Sequence, residues 1–380
     1  MHVKVDFGSS CFTWQSSPDV QGELTISDDV NCSFNQLIKI VNDKKVDLTP
    51  AKYVKVAEHF VSSSHFAPRL MPKDTLRISL QKIDSAVNET LSIEENQNYC
   101  QSWMKLFKFL QEMQRAKIDK RALEDLMHQR DAESSRAFQS FLPDETGFAK
   151  KVTYNVADSL TGRAKVTSGP LILTAHQDVR KCIRSSYEKG KIFSVDFRSV
   201  EPRIALLYAG IDAPDDVYGD LLEEFPGIDR QSAKLATLVA LYGGRVNRLS
   251  EVLGDIDRAR KSVSFVRAHF RVDNLERKLA EQAEKGCVRN ILGRPLREAT
   301  KNPRIRTNHF LQSSAAELSA LLFAELCEKF QHGIRPLFVI HDALIVDVNE
   351  DVIESFTKEA DSISWNQNRM PVKIEMLSPI

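Results

Sequence analysis

Two acidic side chains and a stripe of cations carry the chemistry that can be read in this 380-residue chain. In IFSVDFRSVEPR, residues 192–203, the apolar run from Ile192 to Val195 reads as a short buried strand that delivers Asp196 at its end. Glu201 and Arg203 follow directly. An aspartate so placed either faces a cleft or caps the helix suggested by the apolar residues after it. Further on, the runs from Leu337 to Ile340 and from Leu344 to Val348 read as a strand hairpin whose turn holds His341, Asp342 and Ala343. Such a polar turn is ordinary by itself. Between the two lie Arg230, Lys234, Leu238 and Tyr242, spaced by four, which form one drifting helical stripe about 18 Å long. Two cations at its start could hold phosphates, an apolar residue could cover a sugar or base, and a ring could stack at the far end. The surface stripe of a core helix would explain the cations, but not the Tyr242-Gly243 that closes the segment.

These stretches, in this order, resemble motifs A, B and C of the family A (bacterial DNA polymerase I-like) nucleotide polymerases. Asp196, Phe197, Val200, Glu201 and Arg203 fit motif A, with Arg198 and Pro202 departing; RQSAKLATLVALYGG at 230–244 and FVIHDALIVDV at 338–348 fit the other two. The resemblance implies template-directed nucleotidyl transfer, in which a primer 3′ hydroxyl attacks the α-phosphate and pyrophosphate leaves. Asp196 and Asp342 would hold two magnesium ions roughly 3.5–4 Å apart. Arg230 and Lys234 would clamp the triphosphate, with Leu238 and Phe197 beside the nucleotide. Leu238 stands where the family has Phe or Tyr. Glu201, held by Tyr242, would fill the space of a ribose 2′ hydroxyl and so select deoxynucleotides. His341 would touch the primer's terminal sugar or phosphate. Ala343 replaces the family's usual glutamate at the hairpin tip.

Weaker matches flank the core. Thr161-Gly162-Arg163 fits a family segment whose arginine enters the minor groove, where it meets acceptors common to all correct pairs; the Gln-Asn pair that should follow is replaced by Ile172 and Leu173. Arg304, Asn308 and Gln312 share one helical face and match residues that follow template and minor groove, with Ser313, Ser314, Ala315 and Ala316 small enough for close approach. The implied fold is α+β: a right-hand polymerase with an antiparallel palm sheet, helical fingers and a helical thumb. Its parts would be an unassigned segment at 1–90, thumb and connection at 91–185, palm at 186–225, fingers at 226–302 and palm again at 303–380. A phage-type single-subunit RNA polymerase relative is the nearest alternative. A weakly catalytic polymerase-like DNA-binding protein is another, suggested by Ala343 and the missing Gln-Asn.

The elements that must position these residues are read from pattern. A helix runs from Asp229 as N-cap to the Gly243-Gly244 break. Upstream, VKVDF and ELTIS read as strands, and a helix starts at Thr49-Pro50 to bury Val54, Ala57 and Val61. Ser92 with Glu95 forms a capping box for a helix carrying Trp103, Phe107, Leu110 and Met113, and a second helical stretch spans roughly 120–141. The pair, edged by Lys105, Lys108, Arg115, Lys117, Lys120 and Arg121, reads as a wet helical hairpin and lies where the family has its thumb.

Bulk properties bound the partners. Lys plus Arg equals Asp plus Glu, so net charge says nothing of a polyanion, whereas Arg258 to Arg306 holds fourteen basic and five acidic residues. That surplus is either a phosphate-neutralising surface or a solvated face. Six scattered cysteines without a CxxC pair give no zinc site and fit a reducing compartment. No membrane span or secretory signal is read, and the cytoplasm of a bacterial or phage-infected cell is the expected location. The expected partners are primer–template DNA and deoxynucleoside triphosphates, bound by a monomer with room for a helicase or processivity protein. VKVDFG offers only Asp6 where a proofreading domain needs a set of separated acids, so neither proofreading nor a 5′ nuclease is expected.

Overall fold

The computed structural model describes residues 92–130 and 135–377 continuously. Before them it describes three strands, His2–Asp6, Cys11–Ser17 and Val20–Thr25, and isolated positions from 37 to 89. The expected helix at Thr49-Pro50 lies outside these residues.

A four-stranded antiparallel sheet forms the floor of the molecule, in the order Val372–Met376, Gly190–Phe197, Ala343–Asn349, Ile334–Ile340. Its two central strands are buried without alternation, because both faces are covered: Ile192 to Val195 and Ala343 to Val348 are all buried, with Ser194 and Asp347 the only polar side chains in those two runs. The hairpin is longer than its sequence suggests and its turn tighter. Ala343 is already a strand residue, paired with both Ile340 and Asp196, and only His341 and Asp342 remain in the turn, His341 at φ +57°.

Packed against the sheet is the 26-residue helix Pro303–Glu328. Asn302 caps it by accepting from the Arg304 amide at 3.0 Å, and Pro303 occupies the first turn, where a missing N–H does no harm. From Phe310 to Leu326 this helix is buried nearly all round, since Val200–Tyr208, Arg230–Tyr242, Val272–Glu284 and Glu94–Gln111 all pack on it.

The helix Arg230–Tyr242 has the ends the sequence predicts. Asp229 accepts from the Ser232 amide at 2.7 Å, and Gly243 ends it in the left-handed region at φ +66°. Three other expectations need correction. Ser92 does not cap the next helix: its hydroxyl donates to the Glu89 carbonyl, and Glu94–Gln111 starts after Ile93. The stretch 120–141 is not one helix either; Lys120–Gln129 ends at Arg130, and a separate turn follows at Arg136–Gln139. Nor do the two form a simple hairpin, because Lys117–Ile118 between them pairs as a strand with Ile183–Arg184.

Candidate active site

Asp196 and Asp342 meet at one end of the sheet. The first is the penultimate residue of its strand and pairs with Ala343, while the Phe197 amide donates to the Asp342 carbonyl at 3.1 Å. The neighbouring helix, Val200–Tyr208, is preceded by Ser199 at φ +55°, so Asp196 is a strand-end residue and no helix cap. Its carboxyl is accessible, yet partial withdrawal from water and then the Asp342 carboxylate push its pKa up to about 6. Lys373, its partner on the outer strand, opposes that shift. Two accessible carboxylates that repel each other are a donor set suited to a hard divalent cation. Among the described residues no group of three or more His, Cys, Asp or Glu could hold a metal ion. Any further ligands of such an ion would be oxygens of other kinds, such as water or backbone carbonyls.

Further along the chain, Glu201 joins three elements. One of its oxygens accepts from Arg163 Nη2 at 3.2 Å and the other from the Tyr242 hydroxyl. Burial and then the Glu201 charge hold the Tyr242 hydroxyl above its ordinary pKa, so it remains a donor. Arg230 and Lys234 lie exposed on the same helix, with Leu238 half-buried between them and Tyr242. The structure does not bring the Phe197 side chain to this face: the ring is buried, with its centroid 4.8 Å from that of Phe323.

The chain just before Arg163 is anchored by a buried network that sequence reading missed. Arg294 Nη1 donates to Glu317 at 2.7 Å, and Arg294 Nη2 donates to the carbonyls of Val156 and Ser159, both at 3.0 Å. Tyr99 donates to the same glutamate at 2.9 Å, and Asn290 supplies another bond at 2.8 Å. Gly162, at φ +69°, presses on this pair; a Cβ there would stand 3.0 Å from Arg294 Nη1 and 3.1 Å from Glu317. The signal in the sequence was Glu317 itself, a lone acid in AAELSALL, which could be buried only with a cation. Arg203 is a second such anchor. It is fully buried and donates to the carbonyls of Arg198, Pro214 and Asp215 at 3.0, 2.7 and 2.6 Å.

At the far end of the Arg230–Tyr242 stripe, a cavity of about 350 Å³ is lined by Tyr242, Gly243, Arg304 and Asn308 among others. Gln312 lies one turn beyond, half-buried, and His341 is exposed at the hairpin tip. The basic surplus from Arg258 to Arg306 is only in part a free surface. Arg267 pairs with Asp273 and Glu276, Lys278 donates to the Tyr208 carbonyl, Arg289 to that of Gly293, and Arg294 is buried.

The chain is similar to known proteins in sequence and in fold. The family described as DNA polymerase family A matches residues 152–378. A DNA polymerase I from Pseudomonas aeruginosa is 25% identical over 199 residues, 43% of this chain and 21% of that protein. The chain thus matches about a fifth of the length of this curated relative. Among solved structures, the POL domain of Pol1 from M. smegmatis, in complex with DNA primer-template and dNTP, superposes with a TM-score of 0.59 and 14% identity, covering 90% of this chain and 80% of that one. At that identity the likeness speaks for the fold, and the fold is the α+β right-hand form expected from the sequence.

Proposed function

Because the chain belongs to the DNA polymerase family A, we propose that it is a DNA-directed DNA polymerase that adds deoxynucleotides to a primer 3′ end without proofreading of its own. The observation that carries this reading is the meeting of Asp196 and Asp342 at one sheet end, a few residues from the Glu201–Tyr242 pair. Divalent ions bound there, read as two magnesium ions, would acidify the attacking hydroxyl and stabilise the leaving oxygen. The protein's own share is positioning. Asp196 and Asp342 would hold those ions, Arg230 and Lys234 orient the triphosphate, and Leu238 covers the nucleotide. Glu201, fixed by Tyr242, narrows the sugar site against a 2′ hydroxyl. Arg163, Gln312 and His341 follow the primer terminus, and Arg304 and Asn308 flank the templating base beside the cavity at Tyr242.

In this reading the sheet is the palm, divided between 186–225 and 303–380, the helices of 226–302 are the fingers, and 91–185 holds the thumb and its connection. Primer extension with magnesium tests it. The wild-type protein lengthens a primer with deoxynucleotides, and Asp342→Asn does not; equal signals from the two would refute the reading, and preferential use of ribonucleotides would place the chain with the RNA polymerases instead.

A further inference from the structure

The first cation of the proposed triphosphate clamp is already engaged. Arg230 Nη1 donates to Asp216 Oδ2 at 2.5 Å, and its guanidinium lies over the Tyr218 ring, 5.3 Å from the centroid. Lys234, one turn further along, is exposed and has no acidic partner among the described residues. Asp216 does not reach Arg230 by chance mobility. Buried Arg203 pins the carbonyls of Pro214 and Asp215, the other Asp216 oxygen accepts from the Tyr218 amide at 3.1 Å, and the Tyr218 hydroxyl accepts from Ser199 at 3.1 Å. A carboxylate is thus held in a fixed place against a guanidinium. The side chains of the pair remain 58% and 43% exposed, so water screens the bond and its rupture is cheap.

We propose that Asp216 is a built-in competitor for the triphosphate, occupying Arg230 in the free protein and yielding it only to a ligand of higher negative charge. The proposal rests on the reading of Arg230 as a triphosphate clamp. A carboxylate offers one charge to the guanidinium, whereas a polyphosphate offers several charges and a second cation, Lys234, to share them. The exchange swaps one oxyanion for another at the same nitrogens. Its effect is to set affinity and to favour polyphosphates over weaker anions at the mouth of the site. Asp216 is therefore a specificity-determining residue that needs no contact with the nucleotide.

The test is the equilibrium Kd of a deoxynucleoside triphosphate for the protein on a primer–template ended by a dideoxynucleotide, so that binding is read without chemistry. Asp216→Asn keeps the acceptor for the Tyr218 amide and removes only the charge. It should bind the triphosphate about two- to five-fold more tightly, the size of an exposed ion pair. Arg230→Gln should weaken binding, and adding Asp216→Asn to it should change nothing further. Unchanged or weaker binding by Asp216→Asn overturns the proposal, as does a gain that persists without Arg230. A wild-type complex that binds the triphosphate yet never extends an ordinary primer refutes the polymerase reading and leaves this one standing. Ready extension with no gain in Asp216→Asn does the reverse, and no triphosphate binding by any variant overturns both.

Discussion

The hydroxyl of Tyr242, on the last turn of its helix, donates to Glu201, which belongs to the helix that follows Asp196. With Arg163 on its other oxygen, the glutamate is held from two sides, which in the proposed reading keeps it in the sugar site. Glu201→Ala should raise ribonucleotide incorporation relative to deoxynucleotide incorporation by on the order of a hundredfold in kcat/KM, because it opens room for a hydroxyl. Tyr242→Phe should show a smaller change in the same direction. Competitive single-nucleotide addition measures both, and an unchanged ratio in Glu201→Ala would show that Glu201 is not the gate.

Asp196 should be needed for activity and unfavourable for stability. Asp196→Asn is expected to lower kcat by roughly a thousandfold or more, since the site loses a ligand for its cations. The folded-state pKa of about 6 lies above the ordinary carboxyl value, so the ionised form is disfavoured in the fold. The penalty is absent below pH 4, grows as pH rises, and is complete above about 6. In metal-free buffer the Tm of Asp196→Asn should therefore exceed that of wild type at neutral pH, with the gap closing as pH falls toward 4. A gap that stays constant from pH 4 to 8 would contradict the assigned shift.

Gly162→Ala should disturb both fold and primer grip. The left-handed backbone alone costs a non-glycine residue about 1–2 kcal/mol. The added methyl also presses on Arg294 and Glu317, neither of which can retreat from its buried bonds. A lowered Tm with a raised KM for primer–template and a little-changed KM for nucleotide is the expected split. A change in nucleotide KM alone would place the loop elsewhere in the reaction.

Breaking the Arg294–Glu317 pair on one side only should be severe. Arg294→Met leaves Glu317 buried without its cation, a loss of about 3–5 kcal/mol. Replacing both, as Arg294→Met with Glu317→Leu, should recover much of the stability but not the position of the Val156–Ser159 loop. Denaturant unfolding of the two variants compares them directly, and equal loss in both would mean that the buried charge is not the cause.

The sequence made legible whatever rests on local pattern. The Asp229 cap and the Gly243 stop define the Arg230–Tyr242 helix because both act within one turn. Asp196 could be named because it closes an apolar run, whereas Asp342 sits in a polar turn and could be named only through the resemblance, from the order of the three motifs. What stayed hidden depends on partners distant in the chain. Phe197 reads as a site residue beside Asp196, but alternation along the strand turns it to the opposite face and into Phe323. The network of Tyr99, Arg294 and Glu317 joins three separate stretches, and only the third carries a hint of it. The basic surplus left two readings open because charge counts do not register ion pairs such as Arg267 with Glu276. Ser92 looked like a cap because its spacing to Glu95 was right, yet its hydroxyl found a carbonyl behind it first.

The strand that carries Asp196 has both its sheet neighbours, Ala343–Asn349 and Val372–Met376, far downstream in the chain. A ribosome therefore releases this strand long before anything exists to hydrogen-bond with it. The emerging chain has to keep an apolar ribbon out of harm until those strands arrive, and only then does the corner that holds Asp196 and Asp342 close. Folding speed is then set by that one late pairing of distant strands, and a nascent fragment stopped before Val372 should be sticky as well as inert.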